Sequence, residues 1–234
     1  MNGYVCDEML DMKGMRFPKE IILVCIRWYA AYGLSYRNLE EMMLERGVCV
    51  DHSTVNRWAI RFLPLLEKIF RRQHKKSVGS SWRMDETYIK VKGVWVYLYR
   101  AVDRYGLTID FLLRAKRDKV AAMAFFKKAM RQNGEPDKVT MDKSGANKAA
   151  MDAINMDRDV PIEVRQIKYL NNIVEQDHRA VKRITKHMMG FKSFRAASKV
   201  LAGVELMHMI RKGQMKVVEG VKCSCAEQFY ALAG

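Results

Sequence analysis

A chain of 234 residues with 42 Lys+Arg against 26 Asp+Glu, a formal net charge of +16 and a pI near 9.7 can bury a real core, and its charge excess is typical of proteins that meet polyphosphate. Nucleic acid is the expected partner; a membrane span is excluded because no apolar run approaches roughly 18 residues, and the N-terminus has no signal-peptide pattern. The five cysteines (Cys6, Cys25, Cys49, Cys223, Cys225) have neither disulfide-framework nor zinc-ligand spacing, so idle or buried thiols in a cytoplasmic protein are expected.

Residues 1–16 read as a leader without periodicity. From 17 to 70 the pattern is helical, in three segments: "KEIILVCIRWYAAYG", "SYRNLEEMMLERG" and "VDHSTVNRWAIRFLPLLEKIF". The last two are separated by "GVCV", and the final helix starts at Asp51 with His52, Ser53, Thr54, Asn56 and Arg57 in its first turns. That is the layout of a helix-turn-helix, whose second helix offers polar side chains to base edges. An ordinary helical bundle in which Asp51 and Thr54 only cap a helix would share the spacing. The basic residues Arg57 and Arg61 on one face favour DNA binding.

The stretch "RRQHKKSVGSS", residues 71–81, is the expected linker. Beyond it, "WRMDETYIKV", "VWVYLYRAV" and "LTIDFLLRA" read as three strands joined through Lys92-Gly93 and "DRYG". A helix at 118–132, a short strand "KVTMD", a helix from Ser144 to about Met156 and a strand "EVRQIKY" follow, and two long helices at about 172–189 and 193–212 close the pattern. The expected fold class is α/β: a mixed sheet with flanking helices over residues 82–213, preceded by the small all-α domain and followed by a tail at 214–234. The methionines at 188, 189, 207, 209 and 215 read as flexible core filler.

Charge inside the first strand needs a reason. Alternation places Asp85, Thr87, Ile89 and Val91 on one face and Met84, Glu86, Tyr88 and Lys90 on the other, so Asp85 lies beside aliphatic neighbours and needs a cation, a hydrogen-bond network or a cleft. Asp142 ends the strand "KVTMD", where sites in open α/β sheets collect, although a turn or cap is its bland role. Glu175 fits the third position of a capping box behind Asn172, but it also heads a stripe of His178, Arg179, Lys182 and Lys186, opposite the apolar Val174, Val181, Ile184 and Met188. Three such carboxylates could hold two Mg²⁺ ions, or Mn²⁺, about 3.5–4 Å apart. With no GxxxxGK[ST] loop in the chain, metal-dependent phosphoryl transfer on DNA is the chemistry these residues permit. Glu86, Asp103, Asp110 and Asp177 are left outside this set.

"VDHSTVNRW", "MDETYIKVKGVWVYLYRAVDRYG", "TMDKSG" and "IKYLNNIVEQDHRAVKR", in that order, closely resemble the DDE transposases of prokaryotic insertion sequences, in particular the compact family numbered six. The resemblance runs from about Phe17 to Gly213. It implies a ribonuclease H-like catalytic domain, catalytic and metal-ligating acids at Asp85, Asp142 and Glu175, and a basic residue at Lys182. It also implies divalent metal, cleavage at terminal inverted repeats, and attack of the freed 3′-hydroxyl on target DNA by a replicative, cointegrate-forming route. Joining two DNA ends in one event calls for a homodimer or larger synaptic oligomer on nucleoid DNA. A non-catalytic DNA-binding regulator and a ribonuclease H-type nuclease are the alternatives.

Overall fold

The computed structural model describes residues 10–188, 190–216 and 222–234; Cys6 and Met189 lie outside them, as do most of the expected leader and part of the tail. The chain divides into two compact units, Met1–Lys76 with Arg195–Gly234, and Ser77–Phe194.

The first unit is helical. It contains α1 (Lys19–Ala31), α2 (Tyr36–Leu44) and α3 (His52–Ile69), as the periodicity implied. Ser35 and Asn38 form a reciprocal capping box at the start of α2, and Asp51 caps α3 by accepting from the Ser53 amide at 2.8 Å. Ile22, Ile26, Leu39, Val55, Phe62 and Leu66 are fully buried between these helices. The expected linker is more ordered than its composition suggested: Phe70–His74 continues α3 as a π-helical turn, and the Lys76 amide donates to the Gln214 carbonyl at 2.8 Å.

The long helix α7 (Phe194–Arg211) belongs with these helices from Arg195 on, not with the sheet, so the boundary expected at 213 does not match the packing. Its sequence is apolar almost all round, which marks a helix surrounded by others. Gly203 lies so close to Leu63 of α3 that a Cβ there would stand 2.5 Å from a Leu63 methyl. The tail is structured too. Helix α8 (Cys225–Ala231) starts in a Ser224–Glu227 capping box, buries Phe229, and receives a hydrogen bond at the Tyr230 hydroxyl from Arg27 of α1 at 2.8 Å. Met207, Met209 and Met215 are buried filler, as expected.

The second unit is a five-stranded mixed sheet in the order β3-β2-β1-β4-β5. The strands β1 (Ser81–Val91), β2 (Val94–Asp103) and β3 (Thr108–Arg114) run antiparallel, while β4 (Lys138–Thr140) and β5 (Glu163–Arg165) lie parallel beside β1. This is the ribonuclease H-like arrangement that the resemblance implied. The β1–β2 turn has Lys92 and Gly93 both at positive φ, 50° and 80°, which matches the twist of a two-residue hairpin. Asp103 is a hairpin residue: its carboxylate accepts from the amides of Tyr105, Leu107 and Gly79.

One face of the sheet packs on α4 (Lys119–Asn133) and α5 (Gly145–Asn155) through Trp82, Met84, Tyr99, Phe125, Phe126, Val139 and Met151. The other carries α6 (Asn172–His187) across β1 and β2. The last strand is shorter than "EVRQIKY", because the chain turns into a 3-10 segment at Lys168–Asn171 before α6. That entry removes the capping box assigned to Asn172 and Glu175. The cap residue is Asn171, held near φ −82° and ψ −8° rather than extended, with no side-chain cap bond. Its side-chain amide instead donates to the Met84 carbonyl at 3.3 Å, tying the start of α6 to β1.

Candidate active site

The pairing of β1 with β4 ends at Arg83 and Thr140. From Met84 on, β1 has β2 on one side and a notch on the other, at the carboxyl end of β4. Asp85 and Glu86 stand at this notch on opposite faces of the strand, and Asp142 follows β4 into it. Carboxylate oxygens of Asp85, Glu86 and Asp142 all lie within 4.8 Å of one another.

Each acid has its own support. Asp85 faces α6, where His178 Nε2 is 3.2 Å from its Oδ2. Arg100, directly opposite Asp85 in the β1–β2 register and fully buried, places Nη1 3.2 Å from His178 Nδ1 and Nη2 2.7 Å from Asp177 Oδ2. A guanidinium can only donate, so Nδ1 must be the bare acceptor and Nε2 carries the proton that points at Asp85. Asp142 accepts from the Ser144 amide at 3.1 Å and from Asn147 Nδ2 at 3.4 Å, so its turn role and its place in the cluster coexist.

Glu86 is nearly sealed, with 3% of its side chain exposed. Burial holds its carboxyl above the usual range, against the pull of Asn147 and Arg117 and with the push of Asp142 and Asp85. Arg117 Nη2 joins Glu86 Oε2 at 3.2 Å and Asp142 Oδ2 at 2.8 Å. Burial opposes the Arg117 charge, but the two carboxylates outweigh it and raise its pKa. Among the described residues Glu86 Oε1 has no hydrogen-bond partner. A buried carboxylate oxygen left in this way, among hard oxygen donors, suits a divalent cation of the Mg²⁺ or Mn²⁺ type.

Several expectations are revised by this geometry. Glu86, set aside from the sequence, is part of the acidic group. Glu175 is exposed on α6, outside the 4.8 Å group and one turn before His178. His178 is not on a solvent ridge with Arg179, Lys182 and Lys186, which are exposed; it is buried against Asp85. Asp177 is the ion-pair partner of Arg100, and Asp110 is buried with Lys128 Nζ at 2.7 Å, so both serve the structure. Neither Arg100 nor Arg117 stood out in the sequence; the only signal was a cation in the middle of an apolar strand for the first.

In the helical unit, Ser53, Arg57 and Arg61 are exposed at four-residue steps along α3, while Thr54 and Asn56 are half-buried. Arg57 donates to the Thr54 hydroxyl at 2.8 Å. His52 Nδ1 is 2.9 Å from Glu40 and 3.3 Å from Asp51, a contact that ties α3 to α2 and engages a side chain expected to face DNA. Among the described residues no helix is long and apolar enough to cross a membrane.

A family model described as a DDE domain matches residues 79–214. The transposase for insertion sequence-like element IS431mec of Staphylococcus aureus is 43% identical over 199 residues, covering 84% of this chain and 87% of that protein. The transposase for insertion sequence element IS257 in transposon Tn4003, from the same species, matches to the same extent. Among solved structures, the HTLV-2 integrase catalytic core domain in complex with magnesium is 15% identical with a TM-score of 0.46, covering 65% of this chain and 97% of that one. By the extent of the DDE match and its identity to the staphylococcal enzymes, the chain belongs to the DDE transposases of insertion sequences, in the family numbered six, metal-dependent polynucleotidyl transferases whose substrate is DNA.

Proposed function

We propose that this transposase cleaves the terminal inverted repeats of its element to free 3′ ends and joins those ends to target DNA, by a replicative route that yields cointegrates. The observation that carries the reading is the meeting of Asp85 and Asp142 at the notch beyond β4, with a further buried carboxylate beside them. Asp85, Asp142 and Glu175 would hold two Mg²⁺ ions, with Mn²⁺ able to substitute. Bound there, the metal supplies charge neutralisation and a more reactive attacking oxygen.

The protein's own groups set the geometry. His178 donates to Asp85 and fixes its rotamer, and Ser144 and Asn147 fix Asp142. Exposed Arg179, Lys182 and Lys186 on α6 take the phosphates of the strand being cut, so that the scissile phosphodiester lies in line with the attacking hydroxyl. In the first step water displaces the 3′-oxygen. In the second, the resulting 3′-hydroxyl attacks a target phosphodiester and releases a new 3′-hydroxyl. His52, Ser53, Thr54, Asn56, Arg57 and Arg61 of α3 meet the repeat sequence, with Ser53, Arg57 and Arg61 best exposed for it. A homodimer or larger synapse on nucleoid DNA holds both ends.

The test is a transposition assay in cells on the gene with its native flanking DNA, comparing wild type with Asp142→Asn and sequencing the products. Wild-type cointegrates that vanish in the variant are expected. Unchanged transposition by Asp142→Asn would sink the assignment, and cut ends without joined products would make the protein a nuclease.

A further inference from the structure

Further along β1 from the acidic notch, the second unit carries a groove of about 930 Å³ between the β1–β2 hairpin and the carboxyl-terminal half of α6. Its walls include Tyr88, Trp95 and Tyr97 from the hairpin and Lys90, Lys182 and Lys186 at its margins. Trp95 is 58% exposed and Tyr88 48%, a large aromatic surface left to solvent. Tyr88 and Tyr97 sit with ring centroids 5.3 Å apart, and Lys90 Nζ is 5.8 Å from the centre of the Trp95 ring. After α6 the chain returns alongside β1, with the Phe191 amide donating to the Lys90 carbonyl at 3.0 Å, and closes the end of the groove. Gly190 makes this approach possible, since its φ is +86° and a Cβ there would stand 3.3 Å from that carbonyl.

We propose that this groove binds an unpaired nucleotide of the DNA strand being processed, its base on Trp95 and Tyr88 and its phosphates on Lys90, Lys182 and Lys186. The proposal rests on the reading of DNA as substrate at the acidic notch. Aromatic faces bordered by cations are the chemistry of single-strand recognition, where any base can stack and the backbone supplies the charge. A paired base cannot offer its face, because its neighbours in the duplex cover it. The volume falls in the range that small-molecule sites use, and is ample for one nucleotide. A second copy of the chain is a poorer occupant: a two-fold contact would set these lysines against their own counterparts.

The groove is also in line with the chemistry. Tyr88 and Trp95, the latter directly opposite Lys90, lie on the face of the hairpin that carries Glu86, and Lys90 is four residues beyond Glu86, a span of about 13 Å at strand rise. That corresponds to about three or four nucleotides of a B-form strand, so the captured base would be near the cut but not at it. Stacking there would hold the DNA open next to the scissile phosphate.

The test uses the full-length protein and fluorescence anisotropy on two labelled probes, a blunt duplex and the same duplex with a short unpaired 3′ thymidine tail. Wild type should favour the tailed probe, Trp95→Ala should lose roughly ten-fold or more on it while binding the blunt duplex as wild type does, and Trp95→Phe should keep the preference. Equal affinity of wild type and Trp95→Ala for the tailed probe overturns the proposal. So does a dimer, seen by sedimentation, that dissociates in Trp95→Ala, since the groove would then be a contact between copies. Absence of binding to both probes by every variant defeats the reading of DNA as substrate, a failure distinct from the loss of tail preference alone. Trp95 is more than half exposed, so a matched thermal melt separates a binding loss from misfolding.

Discussion

Arg100 lies directly across from Asp85 in the β1–β2 register, and the two are joined through one imidazole, that of His178, which accepts from Arg100 and donates to Asp85. A buried cation therefore dictates the tautomer of a histidine that in turn orients Asp85. His178→Ala should lower strand cleavage by roughly 10- to 100-fold, the usual cost of losing a group that orients a ligand, with little change in DNA affinity. His178→Gln, which keeps a donor, should recover part of the rate. Cleavage by His178→Ala at the wild-type rate would show that Asp85 needs no such support.

Removing Arg100 is a stability experiment. Arg100→Ala removes the cation paired with Asp177, whose side chain is 8% exposed, and breaking a buried pair in this way costs about 3–5 kcal/mol. Chemical denaturation should show the loss; Arg100→Ala with Asp177→Asn should restore part of it, because the charge that Arg100 balanced has gone.

Arg117 supplies the acidic notch with a cation of the protein's own. Arg117→Ala should lower the melting temperature in magnesium-free buffer, where Glu86 and Asp142 would face each other without a countercharge. Added Mg²⁺ should then raise the melting temperature of Arg117→Ala by more than it raises that of wild type, since a ligand stabilises only the state that binds it. An equal Mg²⁺ response in both proteins would separate Arg117 from the metal site.

On α3, Arg57→Ala should weaken binding to the element's terminal repeats more than binding to random duplex. Equal weakening on both would make Arg57 a phosphate contact. Affinity for either DNA should fall steeply with salt, as expected for a chain of net charge +16.

Gly203→Ala tests how tightly α7 packs against α3. In an open helix, alanine for glycine would gain up to about 1 kcal/mol. Here the new methyl meets fully buried Leu63, and overpacking should reverse the sign at a cost of about 1–3 kcal/mol. Leu63→Ala in the same chain should relieve the clash, so the two substitutions should couple favourably in a double-mutant cycle.

Much of this molecule was determined along the chain itself. The two-residue period of β1 separated Asp85 from Glu86 by face, Asp51 marked the start of α3, and Asp142 followed directly on an apolar strand, because alternation, caps and strand ends are local consequences of backbone geometry. The in-order motifs carried the family. Tertiary structure decided what depends on where a neighbour stops or begins. Glu86 joins Asp85 and Asp142 only because β4 ends at Thr140 and leaves both faces of β1 open to one notch. His178 falls at the margin of the polar stripe of α6, and only the approach of β1 and β2 turns it inward. The box expected at Glu175 fails because a 3-10 turn delivers the chain to α6 without the extended cap residue that a box needs. Likewise α7 reads as one more helix after the sheet, and it is the contact of Gly203 with Leu63, far away in sequence, that gives it to the helical unit. Periodicity records which way a side chain points relative to its own element; which other element it meets is settled only when the chain is closed on itself.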